Sequence, residues 1–202
     1  MQERLNRLSD KAAEYPTGLT MPFSRQELAR IKKRFLSMVP SDSAALSLSL
    51  RDVTAMPEFV GCSLIALALR AVVSRTSNAP STPTLAVLSP RQEAHALERL
   101  RVSFEQFLAL LSLFSVKQSL AVKRKALFDI YDADQDGVVS LSDVVKTLRT
   151  ISPATSLLSV AQLRAVVSST LGLNDSTASL DFSDFQQRFT DADVKAAMTL
   201  AF

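Results

Sequence analysis

Three aspartates spaced two apart, Asp132, Asp134 and Asp136, are followed at once by Gly137. Alternating carboxylates on a tight turn can all face one point, and hard divalent cations take oxygen ligands of this kind. Gly137 stands where such a loop turns sharply and a Cβ would hinder. Val138 would offer only its backbone carbonyl, and Ser140 would ligate directly or through water. Asp143 closes the twelve-residue stretch Asp132–Asp143. The residue usual at that last place is Glu, which grips calcium with two oxygens. Aspartate is one methylene shorter and is expected to supply one oxygen. That lowers the coordination number and moves the site toward magnesium, which prefers six-fold geometry. The expected metal ligands are therefore Asp132, Asp134, Asp136, Val138, Ser140 and Asp143, holding one Ca2+, with Mg2+ as the competing ion.

Helical sequence flanks this loop, as a helix–loop–helix EF-hand requires. The end of the loop, Val139-Ser140-Leu141-Ser142-Asp143-Val144, is echoed three times. The echoes are Leu48-Ser49-Leu50-Arg51-Asp52-Val53, Val102-Ser103-Phe104-Glu105-Gln106-Phe107 and Leu180-Asp181-Phe182-Ser183-Asp184-Phe185. Four such units predict an all-α fold of four EF-hands in two pairs, the apolar residue before each Ser or Asp forming a short antiparallel ladder with its neighbour. Three of the loops are degenerate. The first, 41–52, carries Ser41, Ser43, Ala45 and Leu46 in ligand or glycine places. The second lies within 74–106 and is expanded by a Ser-, Thr- and Pro-rich stretch. The fourth, 173–184, has Leu173 for the first ligand and Ala178 for the glycine, and Asp175, Asp181 and Asp184 leave a weak site at best.

The expected organisation is a lead-in over 1–22, an N-terminal pair over 23–116 with a long insert at 74–101, a C-terminal pair over 117–190 and a tail over 191–202. Ser24 and Glu27 form a capping box opening a helix over about 25–38. Its basic face (Arg30, Lys32, Lys33, Arg34) is either a solvated surface or a contact for an acidic partner or membrane. The segments 62–73 and 104–116 are apolar round most of a helical circumference and must be covered on all sides. Intramolecular packing takes part of that surface; the rest is a candidate groove for an amphipathic helix.

Composition narrows the function classes. The chain has 202 residues, 47% of them hydrophobic and 21% charged, with a net charge of +3. No apolar run is long enough for a transmembrane segment, and the first residues carry no signal-peptide pattern. Gln2 follows Met1, so no N-myristoylation is expected from this start. One cysteine, Cys62, precludes an intramolecular disulfide and fits a cytoplasmic location. Basic residues are scattered without interleaved aromatics, which argues against nucleic acid. With four glycines and one histidine, His95, the chain shows no phosphate-cradling loop, triad or CxxC site, so no enzyme is expected.

These residues carry a resemblance to the calcineurin B-like EF-hand family, with the calcineurin B homologous and calcium- and integrin-binding proteins as near relatives. It rests on Tyr15-Pro16, Phe23-Ser24-Arg25-Gln26-Glu27-Leu28, Lys33-Arg34-Phe35, Met56-Pro57-Glu58-Phe59, Phe114-Ser115-Val116-Lys117 and Phe128-Asp129-Ile130-Tyr131-Asp132, and covers about 15–202. The resemblance implies a non-enzymatic, calcium-binding regulatory subunit that grips an amphipathic helix of a catalytic partner, a calcineurin-type serine/threonine phosphatase. The alternative it implies is a free Ca/Mg sensor acting on a membrane protein or kinase. The phosphatase's regulatory subunit has four working loops and a myristoylated glycine. A single intact loop and Gln2 therefore point to constitutive support of a partner rather than to calcium switching.

Overall fold

A computed structural model describes residues 22–40, 46–76, 100–152, 157–173 and 179–200. Helix α1 (Arg25–Met38) opens the first hand. Ser24 accepts from Glu27 N–H while Glu27 accepts from Ser24 N–H, the reciprocal arrangement expected from the sequence. Strand β1 (Ser47–Ser49) and the short helix α2 (Leu50–Thr54) follow. Helix α3 (Ile65–Thr76), strand β2 (Arg101–Ser103) and helix α4 (Phe104–Phe114) make the second hand. Helices α5 (Leu120–Tyr131) and α6 (Leu141–Ile151) flank the aspartate loop. Helices α7 (Val160–Leu171) and α8 (Phe182–Arg188) form the fourth hand, and α9 (Asp191–Met198) follows.

The hands pair as their repeats require. β1 and β2 run antiparallel with Leu48 opposite Val102, both fully buried. In the second pair Val139 and Leu180 exchange backbone hydrogen bonds of 2.8 and 2.9 Å. These are the apolar residues that the sequence repeat singles out, one from each hand. The repeat's second element is a cap. Ser49 and Asp52, Ser103 and Gln106, and Ser140 and Asp143 form reciprocal capping boxes, and Asp181 caps α8 through Asp184 N–H. Each box satisfies N–H groups that the start of a helix leaves without intrahelical partners.

Phenylalanines knit each pair. Phe35 meets Phe104 edge-on at 5.3 Å and Phe107 at 5.5 Å in the first. In the second, Phe128 lies 5.4 Å from both Phe182 and Phe185, and Phe185 stacks on Phe189 at 4.1 Å. α3 begins at Ile65 rather than at Cys62, which lies in the preceding turn. α4 stops at Phe114 because Ser115 is extended (φ −63°, ψ 138°). Residues 1–21 of the expected lead-in, residues 77–99 of the insert and His95 lie outside the described residues, and Leu100 leads into β2.

Candidate metal loop and apolar groove

The end of α5 delivers Asp132 to the loop. Its backbone N–H still bonds Phe128 C=O at 2.8 Å, while its ψ of 83° has left the helix. The loop then folds on its own carboxylates. Asp132 accepts from Asp136 N–H at 3.2 Å and from Gly137 N–H at 3.1 Å, and Asp136 accepts from Val138 N–H at 2.9 Å. Gly137 has φ +89°, the left-handed region that glycine enters without steric cost, and Gln135 has φ +62°.

This geometry brings three of the expected ligands together. Carboxylate oxygens of Asp132, Asp134 and Asp136 lie within 4.8 Å of one another. Asp143 stands outside that cluster. It is buried, and its Oδ2 accepts from Ser140 N–H at 2.9 Å and Ser140 Oγ at 2.5 Å. Ser140 and Asp143 thus hold each other in the capping box of α6. Val138 follows Gly137 at the foot of the loop, its N–H bonded to Asp136.

The electrostatics suit a cation. Burial pushes the carboxyls of Asp132 and Asp143 above the usual carboxylate range, and the charges of Asp134 and Asp136 push the same way. Hydrogen bonds from Gly137 and Gln135 to Asp132, and from Ser140 to Asp143, only partly oppose this. Like charges crowded this closely favour a bound positive ion. Oxygens from separate carboxylates can share one small divalent ion, so this donor set fits a hard cation.

The fourth loop offers less. Leu173, at its first ligand place, is fully buried, and Asp181 is spent on the α8 cap. Asp175 lies outside the described residues. The first and second loops are likewise only partly described.

The apolar surface divides between core and groove. α4 is buried along nearly its whole length, from Phe104 and Phe107 through Phe114, so the chain itself covers most of that helix. Among the described residues, one opening is a cavity of about 350 Å³ between α1 and α4. Phe23, Ile31, Met56, Phe107 and Leu111 form its floor, and Arg30, Arg34 and Lys117 stand at its rim. Val116, beside Lys117, is 67% exposed. Two ion pairs brace this mouth. Arg34 grips Glu58 with both terminal guanidinium nitrogens, Nη1 to Oε1 and Nη2 to Oε2, the latter at 2.7 Å, and Lys117 Nζ reaches Glu27 Oε1 at 2.6 Å. The bond from Lys117 holds the exposed Glu27 carboxyl down at about 2.

The tail returns to the molecule, which the spacing of its residues does not announce. Val194 and Met198 are fully buried, Arg124 pairs with Asp191, and Leu200 N–H bonds Phe114 C=O at 2.9 Å. No helix among the described residues is long and apolar enough to cross a membrane.

Similarity to known proteins runs along most of the chain. The calcineurin B subunit of Candida glabrata is 27% identical over 182 residues, 89% of each chain. That of Schizosaccharomyces pombe is 26% identical over 184 residues, 88% of each chain, and that of Kluyveromyces lactis 28% over 180 residues, again 88% of each. No protein-family model matches the chain.

Proposed function

We propose that this chain is a member of the calcineurin B-like EF-hand family, to whose calcineurin B subunits it is 26–28% identical along most of its length, and that it is a cytoplasmic regulatory subunit that binds one cation in its third hand and grips an amphipathic helix of a catalytic partner, a calcineurin-type serine/threonine phosphatase. It has no catalytic task of its own. The observation that carries this is the likeness to the yeast calcineurin B subunit over 89% of both chains. The clustered oxygens of Asp132, Asp134 and Asp136 support the metal part. Ca2+ is the resident ion, with Ser140, Asp143 and the Val138 carbonyl completing its shell. The single aspartate at the last ligand place leaves room for Mg2+.

The cavity between α1 and α4 supports the partner part. Its apolar floor takes side chains from one stripe of a helix, the helix-in-groove mode. Its ion-paired rim keeps the mouth polar when no partner is seated.

Calorimetry on the purified chain tests the metal claim. One Ca2+ bound in wild type and none in Asp132→Ala is the expected result; two bound ions would show that the fourth loop works. Mixing the chain with a calcineurin-type catalytic subunit tests the partner claim. A stable one-to-one complex formed with and without calcium is expected. A stable lone monomer that exposes apolar surface only with calcium, and ignores that catalytic chain, would make it a free sensor instead.

A further inference from the structure

Lys123 is the lysine of α5 that has turned inward: it is 2% exposed. Lysine is almost never buried so fully without a counter-charge. Here its ammonium meets a neutral group, Thr199 Oγ1 at 2.7 Å. An ammonium carries three donors, so among the described residues this one hydroxyl leaves it under-served.

The space beside it is an open cavity of about 590 Å³ between the α4–α5 turn and α9. Lys123, Lys195 and Thr199 line it with Val116 and Leu120, and no carboxylate among the described residues does. The acids closest in sequence are engaged elsewhere. Asp191 pairs with Arg124, and Asp193 accepts from Thr190 N–H at 2.9 Å and Thr190 Oγ1 at 2.7 Å in the α9 cap. Two cationic side chains and a hydroxyl therefore line one cavity, with no anion from these residues.

We propose that this cavity is a binding site for a compact oxyanion, a phosphate or carboxylate group held between Lys123 and Lys195. Thr199 accepts from Lys123, which leaves its own O–H free to donate to the anion. Burial lowers the ammonium's proton affinity, and a bound oxyanion would restore it. The site lies apart from the aspartate loop and adjoins the α1–α4 groove, with which it shares Val116, and its anion chemistry does not depend on either role. It has a structural consequence, because Thr199 adjoins Leu200, whose N–H is bonded to Phe114 C=O. An anion here would fasten the tail to α5, the helix that enters the aspartate loop.

The test is an NMR titration of the full, metal-free chain with inorganic phosphate, and separately with acetate, at ionic strength held constant by sodium chloride. Saturable shifts are expected in the amides of 115–123 and 195–199. Affinity should fall by about tenfold or more in Lys123→Met and in Lys195→Gln, the loss expected for one charge-assisted hydrogen bond. Saturation by phosphate alone identifies a tetrahedral ligand; saturation by acetate as well identifies a carboxylate such as an acidic side chain supplies. Lys195 is exposed, so Lys195→Gln decides the matter if Lys123→Met does not fold. Shifts that fail to saturate with either anion, or that are unchanged in the folded variants, would overturn the proposal.

Discussion

Asp143 does two jobs with one carboxylate. It caps α6 through Ser140, and the proposed metal site needs it as a ligand. Glutamate serves both better, because Glu is the usual third residue of a capping box and reaches calcium with two oxygens. Asp143→Glu is expected to tighten Ca2+ binding by about tenfold and to leave Mg2+ binding little changed or weaker, read by calorimetry. Glu27 is a second residue with two duties, capping α1 and holding Lys117. Its folded value of about 2 lies below the ordinary 4.5. A depressed carboxyl stabilises the fold above its unfolded value and loses that contribution as pH falls through the folded one. Glu27→Gln is therefore expected to lower stability at neutral pH and to flatten the fall in stability between pH 4.5 and about 2, checked by thermal unfolding across that range.

Among elements, α9 is the one whose role comes from where it lands. It has eight residues, too short to persist alone in water. Its caps at Thr190 and Asp193, the Arg124–Asp191 pair and two buried side chains hold it in place. Met198 is fully buried, so Met198→Ala removes both transfer energy and packing and is expected to cost about 2–5 kcal/mol. Denaturant unfolding measures that loss. Asp191→Ala removes the exposed partner of the ion pair and should cost far less. A large loss in Asp191→Ala and none in Met198→Ala would mean that α9 is held by charge rather than by packing.

For the molecule as a whole, the two pairs of hands differ in what holds them. The first pair closes through Leu48 and Val102 and the Phe35–Phe104–Phe107 cluster. The second closes through Val139 and Leu180 over the Phe128–Phe185 cluster, but it also carries three crowded carboxylates. A ligand bound only by the folded state stabilises by mass action, about 2.7 kcal/mol at a hundredfold excess over Kd. Calcium is expected to raise the melting temperature of wild type and to leave that of Asp132→Ala unchanged. Equal stabilisation of both proteins would place the ion outside the third hand.

The aspartate loop, the four repeats and the cap of α1 were legible in the order of residues because each depends on neighbours within about a dozen positions, whereas the Ser140–Asp143 cap, read in sequence as a ligand pair, came from the structure. The alternation of Asp132, Asp134 and Asp136, with Gly137 after them, specifies a turn whose bonds are local. The apolar residue before the Ser or Asp of each repeat marked the pairing strands, and Leu48 with Val102 and Val139 with Leu180 met as that pattern requires. Tertiary structure decided what lies far apart in the chain. How much of α4 the protein covers itself, the reach of Lys117 to Glu27 and the return of residues 191–200 to α5 have no local signal. The inward turn of Lys123 is the sharpest case. In sequence it is one cation among several on α5, and only the docking of Thr199 and Lys195 beside it makes a buried charge and a cavity. Contacts of that kind follow from packing a whole surface, which no short window of residues encodes.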